Sequence, residues 1–598
     1  MSKNILFLDT ECYPNYFLIM FKDNKGNTYS FDLKRGGNLD VKGIKYLLTN
    51  YLTIGFNSKT YDMPMIEAAL RGWNNAMLKN LSDRIIKEKA YDVLCEYDLW
   101  INKSYDHIDI INVAIGKDSL KMYGARINTV FLQDLPYDPA VRLNYDQMDV
   151  VKEYCANDIG ITKDLYDYLK NEIDLRVSIN KEYDIDVRSR SDAQIAEELI
   201  AKKIDCNYTK GGKSQSYDFY YTPPDYIKYD SSELNDLLNR FKAVNFKGKV
   251  GDKIINDEVP SEIKINNTKY SLGIGGIHST ESKRAIVIKD DELLIDIDVV
   301  SYYPSIILNN NYAPAHLDKE EFLKFYRQIY NERIEAKKRG DKVKANVYKI
   351  ILNGSFGKFG NRYSRLFSPD LLIHTTITGQ LSLLMLIERL EEQGFSVVSS
   401  NTDGITVHFK KANYDKFLIV VKNWEKETCF ETEETRYKAL YNQSVNSYIA
   451  IKEDNTLKCK GLFAGSELSR NPAIKVCKNA VFAYLLEGKN IEESIYNTPL
   501  EPSNFLMVRK VKGGGYWQDN YLGKIVRWYW STKGAPIYRK LEKIELKKDG
   551  TQKVNPKVAD TDDAYPIMNL KDELININYE KYIAKTYELL KTIGVNNG

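Results

Sequence analysis

Two sets of carboxylates stand where this chain could do chemistry. The first begins with Asp9 and Glu11, delivered by the apolar run Ile5-Leu6-Phe7-Leu8, which reads as a buried strand. Two positions apart on a strand, both side chains point the same way. Asp62 follows a short strand at 53–56 and a loop carrying Asn57 and Tyr61, and Tyr154 and Asp158 lie one helical turn apart on one face. Four carboxylates drawn together raise one another's pKa unless cations neutralise them, so such a set implies bound divalent metals. Oxygen donors without histidine or cysteine suit Mg²⁺, with Mn²⁺ as a substitute. Two such ions about 3.5 to 4 Å apart activate a water and stabilise the departing oxygen of a phosphodiester.

The second set is Asp298 and Asp403. Apolar and polar residues alternate before Asp298, so Ile295, Ile297 and Val299 share one face of a strand and Asp296 and Asp298 the other. Pro304 is expected to end that strand, with Ser301, Tyr303 and Ser305 in the turn. Residues 395–400 and 405–409 read as two strands around Asn401-Thr402-Asp403-Gly404, a hairpin with Asp403 at its tip. Between these carboxylates, 319–338 and 342–355 have helical spacing around Arg339-Gly340-Asp341 and predict an antiparallel pair. Lys349 and Asn353 share a face of the second helix, one turn apart.

The segment Asp298-Val299-Val300-Ser301-Tyr302-Tyr303-Pro304-Ser305 resembles motif A of the family B DNA polymerases, with Tyr302 in place of leucine. That likeness implies that Asp298 binds two catalytic metals, that the backbone at Val299 helps hold one, and that Tyr303 closes against the deoxyribose and excludes a 2′-hydroxyl. Residues 349–357 resemble motif B, with Phe356 for tyrosine, which implies contact of Lys349 and Asn353 with the triphosphate and sugar of an incoming nucleotide. Lys337 is the expected second triphosphate ligand, and Arg333, one turn earlier, is the alternative. The hairpin resembles motif C, with Ser399 and Asn401 replacing a tyrosine and an aspartate, and Asp403 keeps the position of the main metal ligand.

The N-terminal set is similar to the three motifs of the 3′ to 5′ proofreading exonucleases. The similarity implies that Asp9, Glu11, Asp62 and Asp158 hold metals, that Tyr154 orients the attacking water, and that Asn57 and Tyr61 meet the DNA 3′ end. Lys121 reads equally as a lysine near the scissile phosphate or as a surface cation. Gly275 and Gly276 fit the family's link between its two halves, with Gly273 replacing the tyrosine, and imply DNA contact. Tyr448 and Lys460 stand where the family approaches the primer terminus, with Asn446 replacing a lysine.

The implied fold is multidomain α/β and α+β, a ribonuclease H-like exonuclease followed by a right-hand polymerase of palm, fingers and thumb. The expected bounds are 1–185 for the exonuclease, 186–270 for a linker and inter-domain segment, 271–316 and 361–430 for the palm, 317–360 for the fingers and 431–598 for the thumb and C-terminal region. The periodicity from 159 to about 204 is helical, with 192–203 amphipathic; beyond it, 207–230 reads as a linker and 234–270 as a small β-rich piece. From Val508 to Lys540 eight basic residues face one acid, Asp519, among seven aromatics; Arg509, Lys510 and Lys512 are expected on duplex phosphates, and a buried aromatic core with a basic rim is the equal alternative for any single residue.

A length of 598 residues predicts several domains, and seven scattered cysteines without a Cys-x-x-Cys pair argue against a disulfide framework or structural zinc. A net charge of +3 leaves attraction to nucleic acid to local patches. No signal peptide or membrane span is expected. The expected partners are primer–template DNA, dNTPs and a single-stranded DNA 3′ end. The expected state is a monomer without membrane contact, in the cytoplasm of a host if phage-encoded. Only residues 306–348 separate the first two motifs, too few for a protein-priming insertion beyond two helices. Two rival readings are an exonuclease with a degenerate polymerase half and a non-catalytic DNA-binding factor.

Overall fold

The computed structural model describes residues 4–204, 216–249, 258–266, 268–273, 275–465, 467–540 and 555–596. The proposed linker at 207–230 lies partly outside these residues. The chain forms two compact units, one of 1–191, 466–483 and 489–585, the other of 192–465, 484–488 and 586–598.

The first unit is built on a five-stranded sheet in the order Thr28–Lys34, Tyr16–Asp23, Ile5–Tyr13, Leu52–Gly55, Asp106–Asp109. The first three strands form an antiparallel meander, and the last two run parallel to Ile5–Tyr13. Each face is covered by helices, as strands buried on both sides require. Helix Tyr145–Tyr168, started by a capping box from Asn144 and Gln147, lays Val151, Cys155 and Ile159 against Phe7, Leu18 and Ile54. Helices Asp62–Leu70 and Asn75–Lys87 cover Leu6, Leu8 and Ile19 on the other side.

The same unit holds the C-terminal hairpin Met507–Trp517 and Asn520–Trp530. Its Val508 and Ile525 pack on Met122, Ala125 and Leu132, and buried Arg527 donates to the carbonyls of Thr129, Val130, Ile567 and Met568. Trp528, Tyr529 and Trp530 are buried. For Trp528, Tyr529, Trp530 and Arg527 the structure takes the alternative of a buried core, with Arg527 as a structural anchor. The expected 431–598 segment is also divided. Strands Thr432–Ser444, Ser447–Lys452 and Leu457–Lys460 join the second unit's sheet, and 467–483 with 489–585 join the first unit.

Among the described residues the second unit contains a ten-stranded sheet. At its centre Glu292–Val299 lies between Thr432–Ser444 and Gly404–Lys410, antiparallel to both. Helix Pro369–Glu392 has the length and hydropathy of a membrane span, yet 89% of that window is buried inside the protein. Tyr229 donates to Leu381 and Trp424 donates to Ser382, so backbone carbonyls of this core helix are tied to its neighbours. Helices Lys319–Lys338 and Lys342–Phe359 form the expected pair.

Residues 192–203 form the helix that their amphipathic pattern predicts, packed on Lys342–Phe359, where a Cβ on Gly354 would lie 2.7 Å from the Asp192 carbonyl. Two local expectations are corrected. The piece 234–270 contains helix Ser232–Ala243, capped by Ser231, before its strands. The strand before Asp298 ends at Val299, and Pro304 sits in the first turn of helix Tyr302–Asn309, where its missing N–H is tolerated.

Candidate active sites

In the first unit the strand Ile5–Tyr13 presents Asp9 and Glu11. Asp62 arrives from the next strand through a loop with Asn57 in the left-handed region at φ 59°. Asp109, at the end of the neighbouring parallel strand, fixes that loop by accepting from the backbone N–H groups of Asn57 at 2.9 Å and Lys59 at 3.0 Å. Asp62 is buried at the N-terminus of its helix and accepts a 2.6 Å hydrogen bond from Thr10. The fourth carboxylate, Asp158, and Tyr154 come from helix Tyr145–Tyr168.

Burial, and then repulsion from Asp62, Glu11 and Asp158, pushes Asp9 well above the carboxylate range. Burial and Asp158 do the same to Glu11. Burial raises Asp62 to about 7 despite its bond from Thr10. These shifts are the electrostatic signature of carboxylates assembled without enough positive charge. Asp158 Oδ1 is buried and has no hydrogen-bond partner among the described residues. Asp9, Glu11 and Cys155 offer ligand atoms within 4.8 Å of one another. Burial, and then Asp9, pushes the Cys155 thiol well above its usual range, and the remaining donors of the cluster are carboxylate oxygens. The residues fit a hard divalent cation.

Lys121 belongs to this cluster and is not a surface cation. Its Nζ lies 3.4 Å from Asp158 and contacts the Tyr154 hydroxyl and ring. Tyr61 differs from its expected role: its ring packs against the core and its hydroxyl pairs with Ser82 at 2.8 Å, which leaves Asn57 as the exposed member of the two expected 3′-end contacts.

In the second unit the register pairs Asp298 with Gly404, beside Asp403. A Cβ at Gly404 would lie 2.2 Å from Asp298 Oδ1, so only glycine leaves the carboxylate its place. The N–H of Val299 donates to the carbonyl of Asp403 at 2.8 Å, locking the two segments together. Burial, then Asp296, lifts Asp298 to about 6, and burial raises Asp403. This carboxylate pair also fits a divalent ion.

Two residues of this site were not singled out from sequence. Asp296 is buried and accepts from Thr406 at 2.8 Å, Tyr437 at 2.6 Å and Lys458 at 2.8 Å. Lys458 reaches on to Asp298 at 3.5 Å. Burial lowers the Lys458 ammonium, and Asp296 and Asp298 outweigh it, leaving the group above its usual range. Lys458 and Lys460 line a small space with Asp298, Asp403, Asn401 and Tyr448, so cations absent at 446 are present across the strand pair, where Tyr448 faces Lys460. The alternation at 296/298 could have flagged Asp296. No local signal marks Lys458.

An adjoining cavity of about 580 Å³ brings together Asp298, Val299, Tyr303, Asp403, Lys349 and Asn353, with Arg333, Lys337 and Phe356 also on its wall. Arg333 donates to the Ser301 hydroxyl at 2.6 Å and Lys337 pairs with Glu433 at 3.3 Å, so both expected cations reach the cavity. Tyr303 stacks on Phe356 with centroids 4.2 Å apart and donates to the Gly275 carbonyl at 3.0 Å. Gly276, at φ 118°, would bring a Cβ 3.2 Å from the Tyr303 hydroxyl and 3.0 Å from Thr402. These two glycines therefore seat Tyr303, where direct contact with DNA had been expected.

No family model matches the chain. It is 32% identical over 88 residues to "DNA polymerase II" of Escherichia coli (strain K12), covering 15% of the chain and 11% of that relative. It is 23% identical over 247 residues to "DNA polymerase 1" of Pyrococcus abyssi (strain GE5 / Orsay), covering 34% of the chain and 31% of the relative. The chain thus matches well under half the length of either curated relative. Among solved structures it aligns along 100% of its length with 79% of the family B DNA polymerase from the hyperthermophilic archaeon Pyrobaculum calidifontis, at 13% identity and a TM-score of 0.42. The similarity in sequence is to DNA polymerases.

Proposed function

We propose that this chain is a family B DNA-directed DNA polymerase that extends a primer 3′-hydroxyl with dNTPs, and that its first unit is a 3′ to 5′ exonuclease acting on single-stranded DNA ends. The observation that carries the polymerase reading is the cavity shared by Asp298, Asp403, Tyr303, Lys349 and Asn353. The exonuclease reading is supported by four carboxylates held with Tyr154 and Lys121 around an unpartnered acceptor.

In this reading Asp298, Asp403 and the Val299 carbonyl hold two Mg²⁺ ions at the polymerase site, and Asp9, Glu11, Asp62 and Asp158 hold two at the exonuclease site. Bound there, such ions supply Lewis-acid stabilisation of charge developing on phosphoryl oxygens. The chain's own residues do the positioning. Lys349 and Lys337, with Arg333 behind them, draw the triphosphate against the carboxylates, and Asn353 meets the sugar. The Tyr303 ring, clamped between Phe356 and the glycine backbone, closes the sugar subsite and leaves no room for a 2′-hydroxyl. Lys458 and Lys460 offer cations to the primer strand beside Asp403. In the first unit Tyr154, its hydroxyl held by Lys121, orients water toward the scissile phosphate, and Asn57 meets the 3′ nucleotide.

The working domain assignment is an exonuclease at 1–191, fingers at 319–359, and a palm assembled from strands between 276 and 460. The test is extension of a labelled primer–template with dNTPs and Mg²⁺, with Asp403→Asn beside the parent. Absence of templated extension by the parent removes the polymerase reading. Degradation of the unpaired primer that survives in Asp403→Asn supports the exonuclease reading separately.

A further inference from the structure

A second cavity, of about 280 Å³, lies beside the exonuclease carboxylates and is walled by Ser119, Lys121, Leu132, Asp134, Lys510 and Ile525. Gln133, Gly523 and Lys524 complete its rim. It is formed where the C-terminal hairpin docks on helix Leu120–Arg126. Lys510 pairs in register with Ile525, and opposite residues of an antiparallel pair share a face. Its side chain therefore belongs to the face that packs on Met122 and Leu132, at the open edge of that contact.

The carboxylate in this cavity is already occupied. Asp134 accepts from the Tyr521 hydroxyl at 2.7 Å and from the backbone N–H of Lys524 at 3.2 Å. Gly523, at φ 101°, permits that approach, since a Cβ there would sit 3.0 Å from the Asp134 side chain. Among the described residues no carboxylate pairs with Lys510 or Lys524. The cavity thus runs from an uncommitted ammonium on the hairpin to Lys121, which touches Asp158 and Tyr154. Leu132 and Ile525 supply apolar lining to the same cavity.

Two cations and an apolar lining in one cavity match the charged backbone and the apolar base faces of a single strand. The volume is near the lower end of small-ligand sites, about 300 Å³, and suits one nucleotide. We propose that this cavity carries the nucleotide on the 5′ side of the scissile residue, with Lys510 taking its phosphate, so that the C-terminal hairpin supplies part of the exonuclease's substrate track. The occupant is single-stranded DNA, chosen by charge complementarity and by continuity with the carboxylate cluster. This inference rests on the exonuclease reading.

The test compares Mg²⁺-dependent degradation of the dinucleotide (dT)₂, which has a single phosphodiester, with that of (dT)₁₂, using the full chain and its Lys510→Glu and Lys510→Arg variants. The expected result is a fall of about tenfold in the ratio of kcat/KM for (dT)₁₂ to that for (dT)₂ in Lys510→Glu, carried by KM, with Lys510→Arg close to the parent. The dependence of log KM for (dT)₁₂ on log salt should also lose a slope of about 0.7, the value of one single-strand phosphate contact. An unchanged ratio in Lys510→Glu overturns the track, as does an equal fall for both substrates, which would signal damage at the carboxylates. A parent that degrades neither substrate removes the exonuclease reading itself, an outcome distinct from a parent that degrades both without length dependence on residue 510.

Discussion

The two carboxylate clusters solve the same electrostatic problem in different ways. In the first unit Asp9, Glu11, Asp62 and Asp158 face one lysine, Lys121, and the excess negative charge is expressed as raised pKa values and an orphaned acceptor. In the second unit Asp298 is accompanied by Asp296, but Lys458 spans both and Lys460 stands near Asp403. Burial and mutual repulsion raise the first cluster's carboxylates, and a bound cation would favour their ionised form. The second carries part of its own neutralisation, in Lys458 and Lys460.

The largest expected effect breaks the comparison into independent halves. Asp403→Asn should reduce primer extension by about a thousandfold or more and leave degradation of single strands intact, whereas Asp9→Ala with Glu11→Ala should do the reverse. Loss of both activities in either folded variant would mean that the clusters do not act separately.

Lys458→Met tests whether internal neutralisation matters at the second cluster. Removing the ammonium leaves buried Asp296 with Thr406 and Tyr437 alone, so extension should fall by about ten- to a hundredfold while single-strand degradation is kept. Extension kinetics and the melting curve together check this, because a merely structural lysine would lower the melting temperature without altering the KM for primer.

Tyr303→Val should narrow the preference for dNTP over rNTP by about tenfold or more, since the ring that Gly275 and Phe356 hold in place is gone. Competitive incorporation of paired dNTP and rNTP reads it out, and an unchanged ratio assigns the sugar gate elsewhere.

The metal-free first unit should show an inverted pH dependence. Asp62 has a folded pKa of about 7 against 3.8 for its ordinary value, so the folded state binds the extra proton. Its contribution is then fully present below the unfolded value and is lost as pH rises from about 4 through 7, the sign opposite to that of a salt-bridged aspartate. In EDTA the melting temperature of a transition assigned to this unit should fall by several degrees across that window, and Mg²⁺ should abolish the fall. A melting temperature that rises over the same window would contradict the shared burial of the four carboxylates.

The smallest effect concerns Asn401, whose amide donates to the Val445 carbonyl at 3.1 Å and so is partly committed to protein. Asn401→Asp should lower the Mg²⁺ concentration for half-maximal extension by a few fold. A higher requirement would mean that the amide's bond to 445 orders the hairpin tip more than an added charge helps the metals.

The local sequence determined the pieces that carry chemistry. Alternation on one strand put Asp298 opposite the core residues Ile295 and Ile297, a one-turn spacing put Tyr154 beside Asp158, and charge-rich helical periodicity gave the pair Lys319–Lys338 and Lys342–Phe359. These features depend on neighbours within about one or two turns, which is the range over which periodicity has meaning. Tertiary structure decided which distant groups complete each site. Lys458 meets Asp296 across the sheet because Thr432–Ser444 is inserted between Glu292–Val299 and the strands that follow it, a strand order that no local pattern encodes. Lys121 reaches Asp158 because a short helix packs against a long one, and Tyr61 turns inward because Ser82 waits there. The hairpin Met507–Trp530 joins the N-terminal unit because Val508, Ile525 and Arg527 find partners near residues 122–132, nearly four hundred positions away in the chain. Such pairings are fixed by complementary burial and hydrogen bonding after the chain has collapsed, and a linear reading sees only their separate halves.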